Sequence, residues 1–263
     1  MNKQAYLAQK AIRLAQAPAY KRQNTCYKCF WLTENCRCPL ISPFDTDTRF
    51  VLLMHIKEAK QEKLGTGRIC HATLKNSEIR VGIDFSHDER VNALIADPEN
   101  YCLVMYPGKK SLNISTDDLN PLQAKKEAGK KLVVFLIDGT WSCAKKMMKL
   151  SKNIHTLPRI SFSSTHKSIF YIKEQPAEYC LSTLESIQFF LSEADRRGLE
   201  NLPNRPQDNL LVVFQSMIDF MVACALDPTL PRYRGEGKPR GYSKPENRIR
   251  RSKWTSRAIV LPD

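Results

Sequence analysis

The sequence predicts an α/β fold, a mostly parallel sheet with flanking helices. Short apolar runs, "TRFVLLMHI", "YCLVMYPG" and "KLVVFLID", have the length and composition of strands buried on both faces. Segments with helical spacing stand between them, and strands that alternate with helices assemble in parallel because each crossover takes up a helix of chain. In such a sheet the functional crevice lies beyond the carboxyl ends of the strands. The segments "YPG", "DGTW" and "CLSTLE" fall at strand-to-helix junctions or helix starts, so they are expected to converge on one rim.

Along the chain, "MNKQAYLAQKAIRLAQAP" reads as a basic amphipathic helix without the continuous apolar block of a secretory signal. A cysteine-rich segment comes next, then Pro39 and Pro43 mark a linker into a strand near 49–56. A polar loop leads to a strand over 79–85, and Ser86 with Glu89 predicts a capping box for a helix through about Ala96. The run 101–108 is a strand ending in a Pro-Gly turn, and 131–138 is the clearest strand of the chain. "WSCAKKMMKL" has helical spacing, with Thr140 as its N-cap. "SIFYI" (168–172) predicts a short strand, followed by a helix with a capping box at Ser182 and Glu185 and a stop at Gly198. A last helix spans roughly 207–226, and the tail beyond Pro231 is expected to be disordered on its own. Three regions result: 1–45 with the basic helix and the cysteines, the main α/β domain over 46–230, and a basic tail over 231–263.

At 263 residues with 42% hydrophobic content, the chain can bury one sizeable core. No apolar run approaches the roughly 18–20 residues that cross a bilayer, so a soluble, cytoplasmic protein is expected. The net charge of +14 is unevenly placed: residues 1–25 carry five cations and no acids, and residues 231–263 carry ten cations against three acids. Basic ends on a nearly balanced middle suit a polyanion, because flexible cations gain counterion release along a phosphate backbone without fixed geometry. Tyr233, Tyr242 and Trp254 are interleaved with the tail cations, where they can stack on bases. There is no G-x-G-x-x-G after a strand and no G-x-x-x-x-G-K-[ST], which argues against a dinucleotide fold of the usual kind and a P-loop ATPase.

Cys26, Cys29, Cys36 and Cys38 form C-x2-C-x6-C-x-C, four potential thiolates close enough to surround one zinc ion. Such a shell is closed, so the ion would be structural and chemistry would occur elsewhere; reduced free thiols and redox work are the alternatives for this spacing. The stretch "FLIDGTWSCAKKMMKL" ends a buried strand on Asp138 and passes through Gly139, where the backbone can approach a ligand. On spacing alone, Asp138, Thr140 and Trp141 fit either a working site or an ordinary helix start.

"DGTW" followed by "SCAKKM", together with the cysteine segment, "HIKEAKQEKLGTGR", "NSEI", "YPG", "LPRISF" and "YCLSTLES" in the same order, resembles the DTW-domain family, the tRNA-uridine aminocarboxypropyltransferases. The resemblance covers about residues 20–225. It implies kinship with SPOUT-type α/β proteins, some of them knotted. It also implies S-adenosylmethionine as donor of a 3-amino-3-carboxypropyl group to N3 of a tRNA uridine, and 5′-methylthioadenosine as the product released. On that reading Asp138, Thr140 and Trp141 are catalytic, with Asp138 as general base or as the acceptor that orients N3–H. Tyr106, Pro107, Gly108, Trp141, Leu181, Ser182, Thr183 and Glu185 would hold the donor. Arg68, Lys145, Lys146, Arg159, Arg248, Arg250 and Arg251 would meet RNA. Two alternatives stay open at this point: a SPOUT-like S-adenosylmethionine-dependent RNA methyltransferase, and a non-catalytic zinc-containing RNA-binding protein.

Overall fold

The computed structural model describes residues 26–226 apart from 27, 30, 32, 62–64, 165–166 and 171–179. The expected N-terminal helix and basic tail, including Arg248, Arg250 and Arg251, lie outside the described residues. The sheet and the helices packed on it belong to the unit that ends at Val222; a second unit begins at Ala223.

The described strands form one six-stranded sheet. They are β1 (Arg49–His55), β2 (Ser77–Gly82), β3 (Asn100–Met105), β4 (Leu112–Asn113), β5 (Lys131–Asp138) and β6 (Arg159–Ser161), in the order β2-β1-β5-β3-β6-β4. Every pair is parallel, as the alternation of strands and helices requires. The helices are α1 (Ile56–Gln61), α2 (Thr66–Thr73), α3 (Glu89–Ala96), α4 (Asn120–Glu127), α5 (Trp141–Leu150), α6 (Lys152–His155), α7 (Thr183–Arg196) and α8 (Asp208–Leu226).

The central strands are buried on both sides, which is why they read as continuous apolar runs. Val51, Leu53, Val104, Val133 and Phe135 project to one face, where Val91 and Leu94 of α3, Met147 and Met148 of α5 and Ile154 of α6 cover them. The alternate residues project to the other face. There Phe50 meets Phe190 of α7 edge-on with ring centroids 5.8 Å apart.

Two local expectations are corrected. The helix expected to be capped at Ser86 begins instead behind Asp88, whose carboxylate accepts the Val91 N–H at 2.9 Å and is held by Arg80 at 2.8 Å. A carboxylate at a helix N-terminus is a better cap than a hydroxyl two residues earlier. Ser86 instead joins two helices: its hydroxyl donates to the Leu150 carbonyl and accepts the Lys152 N–H, each at 3.1 Å. The strand expected at 168–172 is absent over Ser168–Phe170. The Ile169 N–H goes to Glu185 at 2.8 Å and the Phe170 N–H to the Ser168 hydroxyl at 3.1 Å, so these donors serve side chains rather than a ladder. The strand after α6 is formed instead by Arg159–Ser161, within "LPRISF".

The entry to β1 hangs on one buried acid. Glu200, 5% exposed, accepts the Thr48 N–H at 2.7 Å and the Asp47 N–H at 2.9 Å. Burial pushes its carboxyl above the ordinary range in spite of these donors. A raised acid favours the folded state while protonated, so its contribution is full below the ordinary carboxylate pKa and is lost as pH rises through the raised one. Glu200→Ala strands the buried Thr48 N–H and is expected to cost about 1–3 kcal/mol in urea denaturation. Glu200→Gln is expected to flatten the pH dependence of stability across that window.

Candidate active site on the carboxyl rim of the sheet

Chain order locates the crevice. From β1 the chain moves outward to the edge strand β2, whereas from the adjacent strand β5 it moves the other way, past β3 to β6. The topological switch point therefore lies between the carboxyl ends of β1 and β5, where open parallel sheets bind ligands. Met54 pairs with Asp138 in the register of these two strands, so the last residues of both lie at this point.

Asp138, 5% exposed, lies on the α2 and α7 side of the sheet. Its Oδ1 accepts the hydroxyl proton of Thr183, the first residue of α7, at 2.8 Å. Its Oδ2 lies against Gly67 in the first turn of α2, so closely that an added Cβ would stand 2.3 Å away. Two helix starts thus converge on one carboxylate, and the positive ends of their dipoles favour its charge. Arg68, next to Gly67, is half-buried and donates to the Ala59 carbonyl. Burial lowers its pKa, while the charge of Asp138 acts in the opposite direction. Gly139 packs on His55, with an added Cβ 3.2 Å from the His55 Cβ. Burial pushes the His55 imidazole below its usual pKa, aided by Lys57 and Lys146.

The "CLSTLE" segment is built as its sequence predicts. Ser182 caps α7 through the Glu185 N–H at 3.3 Å, and Glu185 accepts the Ser182 N–H at 2.7 Å. Glu185 also accepts the Ser168 hydroxyl at 2.9 Å and the Ile169 N–H, so both its oxygens are engaged by the chain's own donors. Leu181, Ser182 and Thr183 are half-buried at the mouth of the crevice. Thr140 stands at the N-cap of α5, but its hydroxyl meets that of Ser142 at 3.1 Å rather than a backbone N–H. Trp141 is the half-buried first residue of α5.

Tyr106, Gly108, Lys145 and Arg159 reach the same rim on the opposite face. Tyr106 packs against the core beneath α5 and α6. Arg159 lies over its ring at 5.5 Å, and an added Cβ on Gly108 would stand 2.8 Å from the Arg159 guanidinium. The structure therefore unites Asp138, Thr183 and Gly67 on one side and Tyr106, Gly108 and Arg159 on the other. Lys145 projects from α5 into the second group, alongside Lys149, Lys152 and His155. Sequence reasoning did not single out Lys152 or His155, because their approach to Tyr106 is tertiary.

The four cysteines of the N-terminal segment come together. Their sulfurs lie within 4.8 Å of one another, with Cys26–Cys38 and Cys29–Cys36 each at 3.6 Å. A tetrahedron with Zn–S bonds of about 2.3 Å has edges of about 3.8 Å, so the set fits one zinc ion. The Cys29 backbone N–H holds the Cys26 thiol down to about 6, whereas burial pushes Cys36 and Cys38 up. Trp31 of the same segment packs on Phe220 of α8 with ring centroids 5.5 Å apart, and Arg37 covers both rings.

Fold and rim together define an open parallel α/β protein with a buried carboxylate and two helix starts at its switch point, and a four-cysteine module. The model of the DTW domain matches residues 23–222, and the chain belongs to that family. It is 25% identical over 219 residues to tRNA-uridine aminocarboxypropyltransferase 2 of Macaca fascicularis, covering 81% of this chain and 69% of the relative. It is likewise 25% identical over 207 residues to the protein of that name from Mus musculus, covering 77% and 65%. The Drosophila melanogaster protein of that name is 28% identical over 183 residues, covering 67% and 68%. The chain thus spans about two thirds of the length of these relatives. No solved structure matches it significantly. No helix among the described residues is long and apolar enough to cross a membrane.

Two measurements test this architecture. Gly67→Ala drives a methyl group into the Asp138 carboxylate and is expected to cost about 1–3 kcal/mol in chemical denaturation. Gly139→Ala, with more room, should cost less. Cys29→Ser should lower bound zinc from about one ion per chain to a small fraction of that in elemental analysis, and should lower the melting temperature.

Proposed function

We propose that this chain is a tRNA-uridine aminocarboxypropyltransferase of the cytoplasm, which moves the 3-amino-3-carboxypropyl group of S-adenosylmethionine to N3 of a tRNA uridine, in the variable loop. The observation that carries the reading is the buried Asp138 at the switch point, built from the segments by which the chain resembles its family. S-adenosylmethionine, when bound, supplies a sulfonium that activates all three carbons attached to sulfur. The net change is balanced: a bond forms between N3 and the methionyl Cγ, the Cγ–S bond breaks, neutral 5′-methylthioadenosine departs and the N3 proton is released.

Regiochemistry is then a positioning problem, because an unguided nucleophile would favour the small methyl carbon. The residues at the rim suit that task. The first turn of α7 offers N–H dipoles to the donor carboxylate, and Leu181 and Ser182 line its approach. Trp141, half-buried at the start of α5, offers an aromatic face to a cation. Glu185 acts through others, holding Ser182 and Ile169 in place. Asp138 accepts the uridine N3–H and takes or directs its proton. Its burial and its placement beside two helix starts favour a second reading, in which the same carboxylate holds the donor's ammonium.

Unmodified tRNA incubated with donor labelled either in the carboxylate or in the methyl group tests the reaction. Carboxylate label in RNA supports the transfer proposed; methyl label identifies a methyltransferase; tRNA binding with neither label identifies a binding protein. Asp138→Asn should abolish transfer. Unchanged donor affinity in that variant supports the N3–H role, and donor affinity lost in parallel supports the ammonium role. Near-normal turnover removes Asp138 from both.

A further inference from the structure

On the α5 and α6 side of the rim lies a concavity of about 580 Å³ whose floor is Tyr106 and Met148 and whose walls carry Lys145, Lys149, Lys152, His155 and Arg159. A second concavity, of about 380 Å³, shares Arg159 and adds Lys109 and Lys110 from the loop after β3. None of the residues that line either one is acidic. Like charges gathered on one surface repel, and the lysines here are solvent-exposed.

We propose that these two concavities form a continuous phosphodiester track that seats the RNA backbone beside the crevice. This rests on the reading that the substrate is RNA. The geometry favours a polymer of charge over a small anion. Trp141, Lys145 and Lys149 recur at four-residue intervals, so the stripe leaves the "DGTW" corner and advances along α5 by about 6 Å per step. The short helix α6 continues it through Lys152 and His155. Exposed lysines on flexible stems follow successive phosphates without a fixed cage, whereas a buried single-anion site would need pre-set donors. Arg159 is the fixed point. It lies over Tyr106, beside Gly108, and its Nη2 is 3.5 Å from His155 Nε2. A planar guanidinium held in this way suits bidentate contact with one phosphate at the junction of the two concavities. The track thus runs along one face of the rim while Asp138 stands on the other, so RNA held there extends a nucleotide over the rim.

The test measures the affinity of the full chain for an unmodified tRNA transcript over a range of salt concentrations, with S-adenosylmethionine affinity measured in parallel by calorimetry. In Lys149→Glu/Lys152→Glu the slope of log affinity against log salt should shrink by about 1.5, at roughly 0.7–0.9 per phosphate contact, with donor affinity unchanged. Lys130→Glu/Lys131→Glu, equal in charge but at the amino end of β5, should leave the slope within error of the wild type. Lys149→Ala/Lys152→Ala repeats the test if the glutamates lower the melting temperature. Equal slope losses in the two pairs, or no loss in the first, overturn the track and leave the transfer reading intact. Failure of the wild-type chain to bind tRNA overturns the RNA-substrate reading and the track with it.

Discussion

A carboxylate at the end of a central strand is costly to bury, and what surrounds Asp138 decides how the rim is assembled. The Thr183 hydroxyl holds one oxygen and Gly67 allows the backbone of α2 to close over the other. The starts of α2 and α7 supply partial positive charge from two directions. Burial pushes the neighbouring Cys70 thiol well up, and the charge of Asp138 pushes it further. The positions of α2 and α7 relative to β5 therefore depend on one side chain. The dependence continues outward, since α7 carries Glu185 and Glu185 holds Ser182 and Ile169.

The pleat of β5 divides the labour of the rim. Ile137 packs toward α5 and Asp138 projects toward α7, because successive side chains of a strand point to opposite faces. Gly139 then lets the chain pass close to His55 before α5 begins at Trp141. Trp141 thus heads the helix that carries the cations on one face, while the preceding strand delivers the acid to the other. Four consecutive residues connect the two sides, which gives "DGTW" a physical reason to stay contiguous.

The sheet was largely legible in the sequence. The runs that became β1, β3 and β5 are buried on both faces and read as continuous apolar segments, and β5 with α5 occupies the predicted span. The short strands β4, at the edge, and β6, next to it, were missed, since two or three residues leave no periodicity to detect. "SIFYI" misled for the converse reason: its strand-like composition serves burial of Phe170, which packs on Phe214 with ring centroids 5.0 Å apart, and its donors go to side chains. Local helix-start chemistry was readable at Ser182 and misleading at Ser86, where a better cap two residues on, fixed by Arg80, prevailed. For the site, the expectation of a single rim holds at the level of the sheet. Its division between two faces was beyond linear reading, because Tyr106 and Arg159 are brought together only by the pairing of β3 with β6.

The cysteine module contributes by another route. Its four sulfurs would close the shell of a bound zinc ion, which suits a staple rather than a reaction centre. What it staples is visible in Trp31 and Arg37, which lie on Phe220 of α8, and in Asn209 at the other end of that helix. The Asn209 side chain donates to the Leu40 carbonyl and accepts the Ser42 N–H, each at 2.9 Å. The segment is thereby fastened to α8 at two points. Phe214 of the same helix packs on Phe170, and residues 168–170 are held by Glu185 at the start of α7. The cysteine module and the Asp138 corner are thus joined through packed side chains and hydrogen bonds.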